Sequence, residues 1–287
     1  MPSATDHQPK RIDTALRMAA EALANLPEST PRIEAEILLG QATGRTRTQL
    51  LAWPERTLNA EQEAALARLL QRRLNGEPIA YIRGWQSFWS FDLRVTPDTL
   101  IPRPETELLV EATLNLLDAS SALRIADLGT GSGAIAAALA LERPHWRPIA
   151  TDRSRAALRV ARENFAALGL QRIELVETDW LNAFADVSLD AILSNPPYIA
   201  GADPHLERGD LRFEPRQALT PEGDGLDAIR AIAAEAMRCL RPGGLVAVEH
   251  GFDQGELARA IFTAQGLTRI ETRQDLAQLD RITLGYR

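Results

Sequence analysis

The spacing of apolar residues changes twice along this chain of 287 residues. Residues 1–84 carry apolar side chains at helical spacing, as in Ile12, Leu16 and Leu23. Between 85 and 100 large apolar residues such as Phe88 and Phe91 favour two short strands instead. From 101 onward, short apolar runs alternate with helical stretches. We therefore predict a helical domain over 1–84, a β-hairpin linker over 85–100 and a larger domain over 101–287.

Several helix signals support the all-helical interpretation of the first domain. Thr30 followed by Pro31 is typical of a helix start, and the apolar spacing continues to Leu39. Asn59 and Gln62 have the spacing of a capping box. The helix that follows should bury one stripe and end at Gly76; the stripe consists of Leu66, Leu69, Leu70 and Leu74. Nothing in this domain predicts catalysis.

The third part alternates strands and helices. Predicted strands are 123–128, 148–152, 173–176, 189–194, 245–249, 267–272 and 282–286, and predicted helices after the first strand are 134–142, 154–168, 225–240 and 253–265. Such alternation predicts a mostly parallel sheet covered by helices. The last two strands have no helix between them and should pair antiparallel. An additional helix should begin at Pro104 and run to Leu117, with Glu105 and Glu107 stabilising its first turn.

Composition excludes several classes of protein. The net charge of -7 argues against a protein that binds nucleic acid through a broad basic face. One cysteine permits neither an internal disulfide nor a cysteine zinc site, and the four histidines lack metal-ligand spacing. We therefore expect no metal site. No apolar run reaches the length of a membrane span, and the N-terminus lacks a signal-peptide core, so we expect a cytoplasmic protein.

A glycine-rich loop predicts a nucleotide-like cofactor. Asp127-Leu128-Gly129-Thr130-Gly131-Ser132-Gly133 joins the first strand of the third part to its first helix. The glycines alone leave a dinucleotide enzyme possible, and an acid such as Asp152, at the end of the next strand, binds ribose hydroxyls in both classes. Asp127 before the glycines suits a ligand with a positive centre, such as S-adenosylmethionine, and a second mononucleotide-binding half is missing. Trp180 after the third strand suits adenine stacking or ordinary core packing.

The Asn-Pro-Pro-Tyr tetrad at 195–198 is the most informative motif. It follows a buried strand, and two prolines cannot continue a central strand, so the tetrad should form a rigid turn at the carboxyl end. Ligands of open α/β sheets bind outside those ends. An amide that accepts hydrogen bonds and a ring that stacks suit a planar substrate group with N–H donors. The alternative interpretation is a loop whose prolines only end the strand.

With both motifs placed, the chain resembles the class I S-adenosylmethionine-dependent methyltransferases. More closely, it is similar to the peptide chain release factor N5-glutamine methyltransferases, the HemK/PrmC family. The resemblance covers nearly the whole chain, and Ile-Pro-Arg-Pro-Glu-Thr-Glu at 101–107 is its most specific motif. The other matching segments are 91–95, 127–133, 195–198 and Phe-Glu-Pro at 213–215.

The resemblance implies a fold, a reaction and a set of site residues. The fold is a Rossmann-like seven-stranded, mostly parallel sheet with an antiparallel last strand, plus the small helical domain joined by the hairpin. The reaction is methyl transfer from S-adenosylmethionine to the glutamine of the Gly-Gly-Gln motif in class 1 release factors. The N-terminal domain would help to bind that partner. The sequence does not fix the oligomeric state, and we expect a monomer. Cofactor positions are Asp127, Leu128, Gly129, Thr130, Gly131, Asp152, Trp180 and Asn195. Substrate positions are Asn195, Pro196, Pro197 and Tyr198, of which Asn195, Pro196 and Tyr198 would be catalytic.

Three alternatives and a few departures qualify the resemblance. The tetrad is shared with methyltransferases that act on exocyclic amines of adenine or guanine, although the acidic charge weighs against a nucleic-acid substrate. A dinucleotide-dependent oxidoreductase and a non-catalytic binding module are the other two alternatives. The departures are Phe165, where a small residue is expected, and the segments 249–251 and 278–280. We expect all three departures to lie away from the site.

Overall fold

The structure is a computed structural model that describes residues 9–27 and 29–287. The chain separates into two compact units, Met1–Gly84 and Trp85–Arg287. Among the described residues, no helix has the length and apolar character needed to cross a membrane.

The described part of the first unit is helical and encloses its own apolar core. Its helices are α1 Ile12–Leu23, α2 Pro31–Thr43, α3 Arg47–Ala52, α4 Ala60–Leu74 and α5 Ile79–Arg83. The predicted capping box is confirmed, because Asn59 Oδ1 accepts from the Gln62 amide at 2.8 Å and Gln62 Oε1 accepts from the Asn59 amide at 3.1 Å.

Three details of the first unit differ from the prediction. Helix α2 continues past the predicted end at Leu39 to Thr43. It ends there because Gly44, with φ +67°, forms a left-handed C-cap. The short helices α3 and α5 carry too few turns to show a periodic pattern. Leu74 is 37 % exposed and does not belong to the buried stripe, since the helix ends there.

A two-stranded antiparallel hairpin opens the second unit. It consists of β1 Trp85–Phe88 and β2 Phe91–Arg94. Trp89 adopts φ +56° in the two-residue turn, as the turn types of tight hairpins require. Asp92 lies in β2 and accepts a hydrogen bond from Ser87 Oγ at 2.7 Å, which joins the two strands.

The main sheet has seven strands and confirms the predicted fold class. Its order is β5-β4-β3-β6-β7-β9-β8, in which only the pairings of β9 are antiparallel. The strands are β3 Arg124–Leu128, β4 Arg147–Asp152, β5 Glu174–Glu177, β6 Leu189–Ser194, β7 Leu240–Glu249, β8 Thr268–Gln274 and β9 Asp280–Tyr286. Strand β7 starts five residues before the predicted 245, with a register irregularity against β6.

The helices of the second unit are α6 Glu107–Leu116, α7 Ala134–Glu142, α8 Arg155–Ala167, α9 Arg216–Leu219, α10 Asp227–Cys239 and α11 Gly255–Ala264. Residues Pro104–Thr106 form a 3₁₀ turn before α6, so the predicted helix start at Pro104 was three residues early. Two large apolar clusters lie among the buried residues of this unit. The chain moves outward from β3 to β4 and β5, then returns to β6 beside β3, which creates a crevice at the carboxyl ends of β3 and β6.

The ring of Phe165 packs directly against the backbone of Gly133. Gly133 precedes α7 with φ +90°, and a Cβ on it would lie 2.5 Å from Phe165 Cε1. Phe165 itself is buried beside the alanines of α7. The large side chain noted as a departure therefore occupies the space that a bare glycine leaves.

We expect Gly133→Ala to destabilise the protein by about 1–3 kcal/mol more than Gly169→Ala, because overpacking adds to the cost of a positive φ. Gly169 has φ +72° but no atom within 4 Å of an added Cβ, so it is a matched control for the backbone cost alone. Chemical unfolding of both variants measures the difference. Equal losses would show that Phe165 does not constrain Gly133.

Candidate active site

A cavity of about 690 Å³ opens at the carboxyl ends of the central strands of the second unit. It coincides with the crevice between β3 and β6, where the topology predicts a ligand. Six of the predicted site residues line it: Gly129, Gly131, Asp152, Trp180, Asn195 and Pro197. The other five, Asp127, Leu128, Thr130, Pro196 and Tyr198, are not among the residues that line the cavity.

The glycine loop presents bare backbone to this cavity. Gly129 has φ +68° and Gly131 has φ +56°, a region that costs residues with a Cβ about 1–2 kcal/mol. An added Cβ on Gly131 would meet nothing within 4 Å, so the glycine is needed for its backbone angle and leaves the cavity open. The Thr130 amide donates to the carbonyl of Thr151 at 2.7 Å, which fixes the loop to the next strand.

Asp127 is a fully buried carboxylate with one unsatisfied oxygen. Its Oδ2 accepts hydrogen bonds from Thr130 Oγ1 at 2.6 Å and from the Ala136 amide at 3.1 Å. Its Oδ1 is buried and has no partner among the described residues. Burial raises the pKa of Asp127 to about 6. The two hydrogen bonds favour the ionised carboxylate and therefore oppose this rise. A buried acceptor without a donor fits a ligand that brings a positive charge or N–H groups.

Asp152 holds the glycine loop and the next helix together. Its Oδ2 accepts from the Gly131 amide at 3.1 Å, and its Oδ1 accepts from the Ser154 amide at 2.8 Å. Burial raises its pKa, and these backbone bonds oppose the rise. Each carboxylate oxygen has two lone pairs, so the side chain can still accept from ligand hydroxyls at the cavity.

Trp180 both packs against the core and lines the cavity, so the two interpretations of the sequence stay open. It is half-buried, and the cluster against which it packs is the largest apolar cluster of this unit. Its backbone has φ +44°, an uncommon conformation for a residue with a large side chain. The core therefore supports a ring that a planar ligand group can contact.

Asn195 stands at the exit of β6 with its side chain held from one end. Its Nδ2 donates to Thr106 Oγ1 at 2.9 Å, whereas its Oδ1 takes no hydrogen bond from the residues that the structure describes. The strand end beneath it is fixed, because Ser194 Oγ donates to the carbonyl of Leu128 at 2.8 Å. Asn195 thus offers a fixed acceptor at the cavity wall.

The Tyr198 backbone is anchored, and its hydroxyl lies among charged groups. Its carbonyl accepts from Gln254 Nε2 at 2.9 Å, and a Cβ on Gly225 would lie 2.3 Å from that oxygen. Burial, followed by repulsion from Glu249, raises the pKa of Tyr198. The phenol therefore stays protonated at neutral pH and can donate a hydrogen bond, but it cannot act as a base.

Family models match both units of the chain. Residues 14–84 match the PrmC N-terminal domain, and residues 104–224 match the methyltransferase small domain. A release factor glutamine methyltransferase of Bordetella pertussis is 49% identical over 257 residues, which cover 89% of this chain and 95% of that protein. The chain belongs to the release factor glutamine methyltransferase family.

Other comparisons agree with this membership. A release factor glutamine methyltransferase of Coxiella burnetii is 47% identical over 258 residues, covering 90% of this chain and 92% of that protein. A methyltransferase structure from Pyrococcus furiosus has a TM-score of 0.52 at 17% identity, covering 77% of this chain and 98% of that one, which shows the fold alone. The family resemblance predicted from the sequence is confirmed, and with it an enzyme that uses S-adenosylmethionine as its methyl donor.

Two residues that lie near Asn195 were not predicted from the sequence. Thr106 was read only as part of a helix start, but its hydroxyl is the partner of Asn195 Nδ2. Glu249 was expected to lie away from the site. It is buried at the end of β7, directly after Val248, which pairs with Ser194 of β6. The specific motif at 101–107 was the only available signal for Thr106.

A buried carboxylate joins two of the family motifs. Glu214, from Phe-Glu-Pro, accepts a hydrogen bond from the Ile101 amide at 2.9 Å and forms an ion pair with Arg103. Burial raises the pKa of Glu214, while the Arg103 charge opposes the rise. The two motifs therefore hold each other beside the cavity, which Pro215 and Leu100 line.

Glu105 and Glu107 each lie in a first helical turn, as predicted, although these turns belong to two successive helices, the 3₁₀ turn and α6. Glu107 Oε1 accepts a hydrogen bond from the Trp89 amide at 2.6 Å, which ties α6 to the hairpin. Burial raises the pKa values of Glu249 and Tyr198, and the charge of Glu105 adds a smaller rise to both.

Proposed function

We propose that this enzyme transfers a methyl group from S-adenosylmethionine to the side-chain amide nitrogen of a glutamine in peptide chain release factors. The observation that carries the proposal is the 49% identity to a release factor glutamine methyltransferase over 89% of this chain. The fixed Asn195 oxygen at the cavity supports it, because such an acceptor suits a substrate group with N–H donors. The glutamine of the Gly-Gly-Gln motif in class 1 release factors is the specific target that we infer.

The cofactor would be held by Asp127, Leu128, Gly129, Thr130, Gly131, Asp152, Trp180 and Asn195. The unsatisfied Oδ1 of Asp127 suits a cationic ligand, and Asp152 suits ribose hydroxyls. Bound S-adenosylmethionine supplies an electrophilic methyl group on a positively charged sulfur. The aromatic face of Trp180 suits the adenine ring.

Substrate positioning is the main catalytic task, because an amide nitrogen is a weak nucleophile whose lone pair is delocalised into the carbonyl. Asn195 Oδ1 and the carbonyl of Pro196 would each accept one N–H of the substrate amide, which aims the nitrogen and stabilises its developing positive charge. The Pro196 carbonyl has no hydrogen bond from the described residues. Pro197 lines the cavity, and the ring of Tyr198 would stack on the amide plane. The proton can leave to water.

Three further proposals concern the setting of the reaction. Residues 1–84 would help to bind the release factor, with residues 85–100 as the linker to a catalytic domain of residues 101–287. The enzyme would act as a monomer without a stable nucleic-acid partner. It would work in the cytoplasm, where release factors meet ribosomes.

A labelling experiment tests the proposed function. The enzyme is incubated with radiolabelled S-adenosylmethionine and a class 1 release factor, its Gly-Gly-Gln→Gly-Gly-Ala variant, or duplex DNA. We expect label only in the unaltered release factor. Labelling of DNA would support the amino-methyltransferase alternative, and equal labelling of both release factors would reject the Gly-Gly-Gln target.

Cofactor affinity should depend on the ionisation of Asp127. Its folded-state pKa of about 6 lies above the ordinary 3.8. Protonated Asp127 therefore stabilises the folded free protein. This stabilisation is fully present below pH 3.8 and is lost as the pH rises through 6. A cationic ligand prefers the ionised carboxylate, so we expect S-adenosylmethionine to bind more tightly as the pH rises from 5 to about 7. Calorimetric titrations across this range measure the effect.

Variants separate the effect of Asp127 from that of the carboxylates that line the cavity. Asp127→Asn should weaken the pH dependence, leaving the share of Asp152, whose pKa is also raised by burial. Asp98 is exposed and lines the same cavity, so Asp98→Asn should keep the wild-type profile. An unchanged profile in Asp127→Asn would show that Asp127 does not sense the ligand.

A further inference from the structure

The Asn-Pro-Pro-Tyr tetrad has few groups through which the fold can hold it. Proline has no N–H group, so Pro196 and Pro197 donate no backbone hydrogen bond. The amino end of the tetrad is held through Asn195, whose side chain donates to Thr106 Oγ1 at 2.9 Å. The proposed function also needs the Pro196 carbonyl and the Tyr198 ring to keep their places. The carboxyl end of the tetrad therefore needs an anchor of its own.

Gln254 provides this anchor through both ends of its side-chain amide. Its Nε2 donates to the Tyr198 carbonyl at 2.9 Å, and its Oε1 accepts from the Gly251 amide at 2.9 Å. The oxygen and the NH₂ group of a glutamine have nearly the same shape, so hydrogen-bond partners decide which way the amide points. Here both partners are backbone groups, and a carbonyl can only accept while an N–H can only donate. The two contacts therefore fix a single orientation of Gln254.

Helix capping does not account for this side chain. Gln254 is the N-cap residue of α11, a position from which a side chain often accepts from the first helical turn. The Gln254 side chain makes no such bond and instead contacts Tyr198, 56 positions away in the sequence. It is half-buried and is not among the residues that line the cavity. It therefore acts on the tetrad and not on a ligand.

Gly225 leaves the space in which this contact forms. Its φ is +84°, and an added Cβ would lie 2.3 Å from the Tyr198 oxygen and 3.0 Å from Gln254 Nε2. Only a residue without a side chain permits such a close approach of backbone. Three segments that are distant in sequence thus meet at one hydrogen bond.

We propose that Gln254 is a positioning residue, which fixes the carboxyl end of the tetrad so that the Pro196 carbonyl and the Tyr198 ring meet the substrate amide. This inference rests on the proposed function. Loss of the anchor would misalign the substrate nitrogen with the methyl group, whereas Asp127 and Asp152 would stay in place. The effect should therefore fall on kcat and not on cofactor affinity.

Two variants of similar length test the inference. Gln254→Met removes both hydrogen bonds. Gln254→Glu keeps an acceptor for the Gly251 amide, but an ionised carboxylate has no proton to donate to the Tyr198 carbonyl. We expect kcat for release factor methylation to fall roughly tenfold to a hundredfold in both, because small displacements at a reacting centre have effects of that size. S-adenosylmethionine affinity, measured by calorimetry, should stay close to wild type.

Thr283→Val is the matched control for a loss of stability. Thr283 is buried in β9, and its Oγ1 lies 2.8 Å from both His250 Nε2 and Thr272 Oγ1. The control therefore also removes two side-chain hydrogen bonds at nearly constant shape, without touching Tyr198. We expect similar shifts of the urea midpoint in Thr283→Val and Gln254→Met, but nearly wild-type kcat only in Thr283→Val. An equal fall of kcat in both would show that activity only follows stability, and would overturn the inference.

A second pair of variants reaches the same contact from the opposite side and decides if the Gln254 variants do not fold. Gly225→Ala places a methyl group against the Tyr198 carbonyl. Gly169→Ala has a similar backbone cost, with φ +72°, but meets no atom within 4 Å. We expect kcat to be roughly tenfold lower in Gly225→Ala than in Gly169→Ala. Equal kcat values would overturn the inference.

The outcomes also separate this inference from the proposed function. A wild-type enzyme that does not methylate the release factor would reject the proposed function. A wild-type enzyme that does so, with Gln254→Met and Gln254→Glu variants that are folded and fully active, would reject only the positioning role. A loss of S-adenosylmethionine affinity as large as the fall in kcat would reject that role as well.

Discussion

Replacement of Asn195 by alanine should reduce methyl transfer to a release factor by about 10²–10³-fold, which is the usual cost of losing one preorganised polar partner. The variant removes the acceptor that aims the substrate nitrogen, but it leaves Asp127, Asp152 and Trp180 in place. We therefore expect the fall in kcat to exceed by far any loss of S-adenosylmethionine affinity. Single-turnover methylation and calorimetric binding measure the two effects separately.

A control on the neighbouring loop makes the Asn195 result specific. Asn182 is exposed and does not line the cavity, so Asn182→Ala should keep wild-type methylation. Full activity in Asn195→Ala would reject the positioning mechanism. An equal loss of cofactor binding and of catalysis would instead place Asn195 mainly in the cofactor site.

The parts of the site that the sequence predicted are those set by local backbone constraints. Positive φ angles require glycine at 129 and 131, and prolines at 196 and 197 must end a central strand. Both motifs follow short apolar runs that form β3 and β6 as expected. Their meeting at one cavity follows from the parallel arrangement, since parallel strands place their carboxyl ends at one edge.

The residues that the sequence did not reveal depend on contacts between distant segments. Thr106 and Asn195 are 89 positions apart, and Ile101 and Glu214 are 113 apart. No spacing rule relates such pairs, because β-strand register and loop paths decide which of them meet. Glu249 was misjudged for the same reason, since its strand lies beside β6 in space but follows it by several elements in sequence.

Short elements were missed for a different reason. Helices α3, α5 and α9 have six, five and four residues. A stretch of one to two turns has too few positions for an apolar period to be distinguished from chance. Helix α9 matters for the site, because it carries Arg216, Gln217 and Ala218 of the cavity wall.

Glu214→Ala should destabilise the protein more than Glu214→Gln or Glu163→Ala. Its side chain is fully buried, and its removal leaves the Ile101 amide and the Arg103 guanidinium without their carboxylate. Removing one partner of a buried pair costs about 3–5 kcal/mol. Because the Arg103 side chain is 30% exposed, we expect the lower end of that range. Urea denaturation, followed through the unfolding transition of the second unit, measures the free energy of unfolding.

An exposed ion pair in the same unit provides the contrast that gives the Glu214 result its meaning. Arg94 and Glu163 also form a close pair, but their side chains are 59% and 43% exposed. Water and salt screen such a pair, so Glu163→Ala should cost no more than about 1 kcal/mol. Glu214→Gln should fall between the two, because an amide oxygen can still accept from Ile101 while the charge is lost. Similar losses in Glu214→Ala and Glu163→Ala would show that burial adds nothing, and the two motifs would then not depend on each other.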